Sequence, residues 1–411
     1  MLNWANRFNI CSFLDNHHYQ TDHTTIECLV GCGSTAQLSV NAGFEALDSF
    51  LQEHRGKWLF GHIAYDIKNQ IETLSSRHPD AIQFPDLFFF VPAVVLKLQH
   101  TQLEITCYDQ SNPEDVFKAI LAVAPAALVK QTALEIQSRI SKAEYINIIE
   151  QLKQHILRGD CYEINFCQEF YAAGAAIDPL SLYRQLTAFS PNPFACYYKQ
   201  EDKYLLCASP ERFLQKKGNK LISQPIKGTI RRNLQNREAD LELVKALTES
   251  KKDKSENVMV VDLVRNDLSK VCKEGTVKVS ELFGIYSFPQ VHQMISTVEG
   301  EINDHVLFSA ILKAAFPMGS MTGAPKKRVM ELIEQYEQTK RGLYSGAVGY
   351  FDPNGDFDFN VVIRSILYNA ANQYLGYQVG GGITFYSDPE KEYEECLLKA
   401  AAIRKVLQVN Q

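Results

Sequence analysis

The chain has 411 residues, 45% of them apolar, and a formal net charge of -6, so it can bury a large core and exceeds the size of one ordinary domain. The charge is spread along the chain without a basic stripe, which argues against a nucleic-acid surface. Ten cysteines are scattered without a CxxC pair in a chain too large to need disulfide staples, so buried thiols in a reducing cytoplasm are expected. The first eight residues lack the cationic segment and apolar core of a secretory leader. Residues 1–130 form an N-terminal region that reads mostly as strand, as in the stretch 57–66. The longest apolar run, residues 87–96, contains Pro92 and is far short of the roughly 20 residues of a membrane helix. Within it Phe88, Phe89, Phe90, Val94 and Val95 suggest buried strand instead. Residues 122–137, with Pro125 and small side chains, are the best candidate connection.

The second region, residues 138–411, opens on Ser141 followed three residues later by Glu144, a capping-box spacing. Tyr145, Ile148, Ile149, Leu152 and Ile156 then recur at helical intervals until Gly159, which predicts an amphipathic helix over 142–157. Strands are expected at 162–171, 204–207, 220–222, 347–351, 357–367 and 374–380, separated by helices. This order favours an α+β fold with antiparallel sheet over a doubly wound parallel one.

Several short patterns carry chemistry. In Pro225-Ile226-Lys227-Gly228-Thr229 an amine stands beside two small residues that let backbone approach a ligand. Asp253 and Glu256 are three apart at the start of an apolar helical stripe, and Glu392 and Glu395 repeat that spacing in a helix begun by Pro389. Each pair alone reads as an acidic first turn facing the helix dipole. Together they would suit a magnesium ion that keeps several waters. The segment 319–326 has neither the interval nor the Gly-Lys-Ser/Thr ending of a phosphate loop. It is still a hydroxyl-rich turn, with Ser320 and Thr322, entering a helix at Pro325 and offering amides to an anion. Gly380, Gly381 and Gly382 offer a second stretch of bare backbone, and Arg364, ending an apolar strand, is a candidate carboxylate clamp. Gly31-Cys32-Gly33-Ser34 has the look of a nucleophile elbow without its triad, and reads as a buried thiol.

Taken together the stretches SPERF (209–213), PIKGT (225–229), ENVMVVDLVRNDL (256–268), FPMGSMTGAPK (316–326), LYSGAVGY (343–350) and GGGITFYSDPEKEYEE (380–395) resemble the chorismate-utilising enzymes. That family contains anthranilate synthase component I, aminodeoxychorismate synthase component I, isochorismate synthase and salicylate synthase. Matching is looser back to about residue 140 and, in the first 130 residues, rests chiefly on FGHIAYD. The resemblance implies a large two-layer fold with antiparallel sheets and the site between them. It also implies Mg2+ on Glu256 and Glu395, with Asp253 and Glu392 assisting through water. Arg364, Tyr344 and the Gly380, Gly381 and Gly382 amides would meet the enolpyruvyl carboxylate of chorismate, Lys399 and Thr229 the ring carboxylate, and Ser320 stands among the substrate contacts. Glu211 would be the general acid for the departing 4-hydroxyl.

Two positions choose among reactions. Residue 163 is Glu where members that add water at C2 resemble one another in a lysine base, and Lys227 stands where members forming anthranilate typically have alanine. The resemblance thus implies amination at C4 through a lysine adduct, giving 4-amino-4-deoxychorismate for folate synthesis, with ammonia from a separate glutamine amidotransferase subunit. Desolvation is expected to lower the Lys227 pKa toward the neutral nucleophile. The rival readings are anthranilate formation, for which only Lys227 is contrary evidence, and a catalytically silent binding subunit. Relatives carry a histidine where this chain has Gln293; His292, one residue earlier, is expected to be structural.

Overall fold

The computed structural model describes all residues except 20–22, 24–25, 125–128, 130–133, 289 and 409–411. Part of the candidate connection at 122–137 therefore lies outside the described residues. The remainder forms an α+β protein built on two large antiparallel sheets. The first runs Gly323–Ala324, Glu163–Ala172, Tyr374–Ile383, Ser365–Asn369, Lys203–Ser209, Phe194–Gln200, Ile10–Asp15, Cys28–Cys32, Val94–Gln99 and Gln102–Cys107. The second runs Ile226–Arg231, Val291–Glu301, Lys220–Gln224, Arg212–Lys217, Phe357–Asn360, Ala347–Phe351, Leu59–Ile63, Leu87–Val91 and Ala36–Gln37. Strands from before residue 108 and after residue 162 lie in both sheets, so the two stretches of sequence share their layers.

The inner faces of the two sheets bury one apolar layer. Leu29, Val95 and Leu205 of the first sheet and Phe60, Phe88 and Leu214 of the second belong to it. The strand Leu87–Val91 is buried along its whole length, which explains why it is continuously apolar rather than alternating. Its Phe89 ring lies 5.8 Å from Phe351, 6.1 Å from Phe359 and 6.5 Å from Phe308, in the offset and edge-on range that aromatic quadrupoles favour. Helices Pro179–Phe189 and Ala401–Val406 cover the outer face of the first sheet.

The predicted helix at 142–157 is present as Lys142–Leu157, with both halves of its capping box formed. Glu144 N–H donates to Ser141 Oγ at 3.2 Å, and Ser141 N–H to the Glu144 carboxylate at 2.7 Å. The helix lies with Lys326–Tyr336 over the Glu163–Ala172 strand through Leu152, Ile164, Phe166, Val329 and Ile333. Two local expectations differ from the structure. The N-terminal region includes helices Phe44–Glu53 and Pro113–Ala122, their amphipathic stripes having been overshadowed by the strand-like runs around them. The single strand expected at 357–367 is two, Phe357–Asn360 and Ser365–Asn369, because the chain leaves the second sheet and enters the first. The crossing ends on Arg364 with φ of 53°, a left-handed conformation that a non-glycine residue seldom holds.

No helix among the described residues is long and apolar enough to cross a membrane. Phe89→Ala should cost about 3–5 kcal/mol of folding free energy, the usual range for emptying an aromatic site in a packed core. Denaturant titration measures it, and a loss under about 1 kcal/mol would mean the layer repacks freely.

Candidate active site

A cavity of about 1140 Å³ opens between the Ile226–Arg231 and Tyr374–Ile383 strands, the N-terminal part of helix Lys251–Ser269 and one face of helix Pro389–Lys399. Of the sequence-expected residues Glu211, Lys227, Thr229, Asp253, Glu256, Ser320, Tyr344, Arg364, Gly380, Gly382, Glu395 and Lys399 all line it. Gly381 and Glu392 stand just behind, with a Glu392 carboxylate oxygen 3.4 Å from where a Gly381 Cβ would lie. The cavity thus gathers groups spread over almost 190 residues, as the order of the motifs implies.

Lys227 is buried, and its Nζ donates to Glu163 Oε1 at 2.5 Å. Burial by itself pulls an ammonium toward neutrality, but the carboxylates of Glu163, Glu256 and Glu211 outweigh it and hold Lys227 well above the ordinary lysine range. The expected lowering is therefore reversed in the free protein: desolvation acts in the expected direction, and the surrounding carboxylates, Glu163 first among them, outweigh it. Sequence reading missed that partner. Residue 163 served only to discriminate among reactions, and nothing in a separation of 64 residues signals contact.

Gly382 makes that pair possible. A Cβ there would lie 2.4 Å from Glu163 Oε1 and 2.7 Å from Lys227 Nζ. Gly380, Gly381 and Gly382 pair with Cys167, Phe166 and Asn165 within the sheet, so the run is strand, and its bareness supplies room. The Gly380 carbonyl accepts from Lys399 Nζ at 3.0 Å, and that ammonium also meets Glu395 at 2.9 Å.

Glu211 is 4% exposed, and Ser320 Oγ donates to its Oε1 at 2.6 Å. Burial raises its pKa to about 7 against the opposing effects of Ser320 and Lys227, which leaves it able to give a proton near neutrality. Ser320 belongs to the short 3₁₀ turn Gly319–Met321, and the Gly323–Ala324 stretch after it pairs with Ile164 and Glu163. The hydroxyl-rich turn is thus a buried strut that orients the acid, where the sequence pattern suggested free amides for an anion. Arg364 faces the same cavity, and no carboxylate among the described residues closes an ion pair with its guanidinium. Burial lowers its pKa because desolvation disfavours the charged form, a penalty that an anionic ligand would offset. Tyr344, 4% exposed, sets its hydroxyl 3.6 Å from Cys167 Sγ.

The acidic pairs meet around a lysine. Lys252 Nζ lies 3.5 Å from Glu392, 3.8 Å from Glu256 and 4.0 Å from Glu395. Glu256 Oε1 is buried without a hydrogen-bond partner, and burial raises its pKa to about 7. Among the described residues no three His, Cys, Asp or Glu side chains are drawn together closely enough to ligate an ion as they stand. The donor set nevertheless suits a hard cation: three carboxylates, one with an orphaned oxygen, already surround an ammonium. Asp253 packs elsewhere, over Gly228 at 3.0 Å from a Cβ built there. Lys252, adjacent to Asp253 in sequence, could have been flagged as the charge these acids would share.

Thr229 pairs with Gln293 across the sheet, and Gln293 lines the cavity with Oε1 buried and unpartnered. His292 turns away, to Asp240 at 3.0 Å and Ser287 at 2.8 Å, and so is structural. All ten cysteines are free, and Cys32 lies buried in a strand with its thiol pKa pushed well up by burial, which leaves no elbow there.

The fold is similar to that of a solved anthranilate synthase component I from Streptococcus pneumoniae. Its TM-score is 0.80 over 95% of each chain at 24% identity. The chain belongs to the chorismate binding enzyme family, whose model it matches over residues 13–405. It is 32% identical to aminodeoxychorismate synthase component 1 of Bacillus subtilis over 85% of this chain and 77% of that one. The protein of the same name in Escherichia coli is 33% identical over 85% and 76%.

Because burial raises the Glu211 pKa from 4.5 to about 7, folding favours its protonated form. The ionised carboxylate therefore costs stability progressively as pH rises through that window. Glu211→Gln should match the parent's thermal stability below the window and exceed it above; parallel stability curves for the two proteins would contradict the assignment.

Proposed function

We propose that the chain converts chorismate and ammonia to 4-amino-4-deoxychorismate, drawing ammonia from a glutamine amidotransferase subunit and so feeding p-aminobenzoate and folate synthesis. The observation that carries this reading is one buried amine, Lys227, in the same cavity as Glu211, an acid whose proton is available near pH 7. The names of the Bacillus and Escherichia relatives point the same way. A cytoplasmic location accords with ten unpaired thiols.

In this reading Arg364 clamps the enolpyruvyl carboxylate, with Tyr344 and the glycine strand shaping that end of the cavity, while Lys399 and Thr229 serve the ring carboxylate. Lys227 attacks C2, both ring double bonds shift, and the C4–O bond breaks as Glu211 gives its proton to the departing hydroxyl. Ammonia then bonds to C4, both double bonds return, and the electron pair of the C2–N bond goes back to Lys227. Ser320 holds Glu211 in place for both passages. Glu256 and Glu395, with Glu392 behind them and Asp253 over Gly228 on the same cavity, would hold Mg2+, which would supply positive charge to the ring carboxylate.

Incubating the chain with chorismate, magnesium and an ammonium salt should give 4-amino-4-deoxychorismate, with pyruvate retained, by mass spectrometry. Lys227→Ala should abolish that product while leaving chorismate binding intact, and Glu211→Gln should slow it about 10²–10⁴-fold, the usual worth of a positioned acid. Anthranilate with released pyruvate, or an unimpaired Lys227→Ala, would overturn the reading.

A further inference from the structure

We propose that Glu163 is a catalytic residue: it takes the proton of the Lys227 ammonium and so makes the lysine a nucleophile, an inference that rests on the C4-amination reading above. An ammonium has no lone pair, and Lys227 is held as one. Something within reach must accept a proton before the C2–N bond can form.

Geometry singles out Glu163. Its Oε1 lies 2.5 Å from Lys227 Nζ, with the two side chains 3% and 9% exposed, so the proton has a short path. The other carboxylates that act on Lys227 are Glu211, Glu256 and Glu395. Glu211 is tied to Ser320 and is the acid for the leaving hydroxyl, while Glu256 and Glu395 face Lys252. Glu163 accepts only from Lys227 among the described residues, its Oε2 being buried without a hydrogen-bond partner. The pair also spans the two sheets, because Glu163 stands on the Glu163–Ala172 strand and Lys227 on Ile226–Arg231. Gly382 leaves the gap both groups occupy.

The protons and electrons balance. One N–H proton moves from Lys227 to Glu163 Oε1, and the freed pair forms the C2–N bond. Both ring double bonds shift and the C4–O pair leaves with the Glu211 proton as water. After ammonia has bonded to C4 and the C2–N pair has returned to Lys227, Glu163 gives its proton back. Glu211, now a carboxylate, takes one from the new C4 ammonium. Both acids end as they began.

The test uses the full chain with chorismate, magnesium chloride and saturating ammonium chloride, comparing Glu163→Gln, Glu163→Asp and Lys227→Ala across pH. Glutamine keeps the shape and a hydrogen bond but cannot take the proton. Its kcat should fall about 10²–10⁴-fold with KM for chorismate little changed. The residual rate should climb with pH, because solvent must then remove the lysine proton, and the parent should lack that limb. Aspartate should recover part of the rate at the parent's pH dependence, and it carries the test if the glutamine variant does not fold. A Glu163→Gln kcat within a few-fold of the parent, an unchanged pH profile, or an aspartate variant no better than glutamine would overturn the proposal. Full activity in Lys227→Ala would instead sink the lysine-adduct reading on which it rests.

Discussion

The buried ion pair between Lys227 and Glu163 joins the two sheets at the place where the chemistry is expected, and much of the site is arranged around it. Removing two charges from water carries a penalty of several kcal/mol per ion, so such a pair is weak evidence of stabilisation for its own sake. Its surroundings answer to it nonetheless. Gly382 lacks a side chain where one would collide with both partners, and the short Gly323–Ala324 strand pairs alongside Glu163. Burial opposes the charge of a lysine in that position, and the carboxylates of Glu163, Glu256 and Glu211 together keep the amine as an ammonium.

A second group of charges, a few residues along the same wall, has the opposite bias. Glu256 and Glu211 are pushed up to about 7 by burial, and Glu256, Glu392 and Glu395 share the ammonium of Lys252. Negative charge is therefore in excess on the helix side, while Arg364 waits uncompensated on the side where the chain crosses between sheets. A dianionic substrate accompanied by a divalent cation would relieve both imbalances at once. The left-handed backbone of Arg364 fits the same picture, since strain of that kind is retained where a side chain must be aimed.

Much of the fold could be read from residue order. The capping box at Ser141, the apolar stripe to Ile156, the wholly apolar strand at Leu87–Val91 and the alternation elsewhere announce their elements through local periods. The break at 361–364 could not be read that way, because a strand that changes sheets stays apolar on both sides of the crossing. In the site, the ordered motifs and their resemblance to a family gathered in advance twelve of the residues that line the cavity. They did not give the contacts between those groups: Ser320 donates to Glu211, and the bare Gly382 leaves room beside Lys227 and Glu163.

The amino-acid sequence by itself determined membership of a chemistry: which acids, which lysine and which arginine are present, and on which local elements they ride. Those properties depend on spacing along the chain, where helix and strand periods apply. Tertiary structure alone decided who neutralises whom. Lys227 is held as an ammonium by carboxylates that include one 64 residues away on another sheet, and the electrostatic energy of a buried charge is set by its distance to every other charge and to water, which no local pattern encodes.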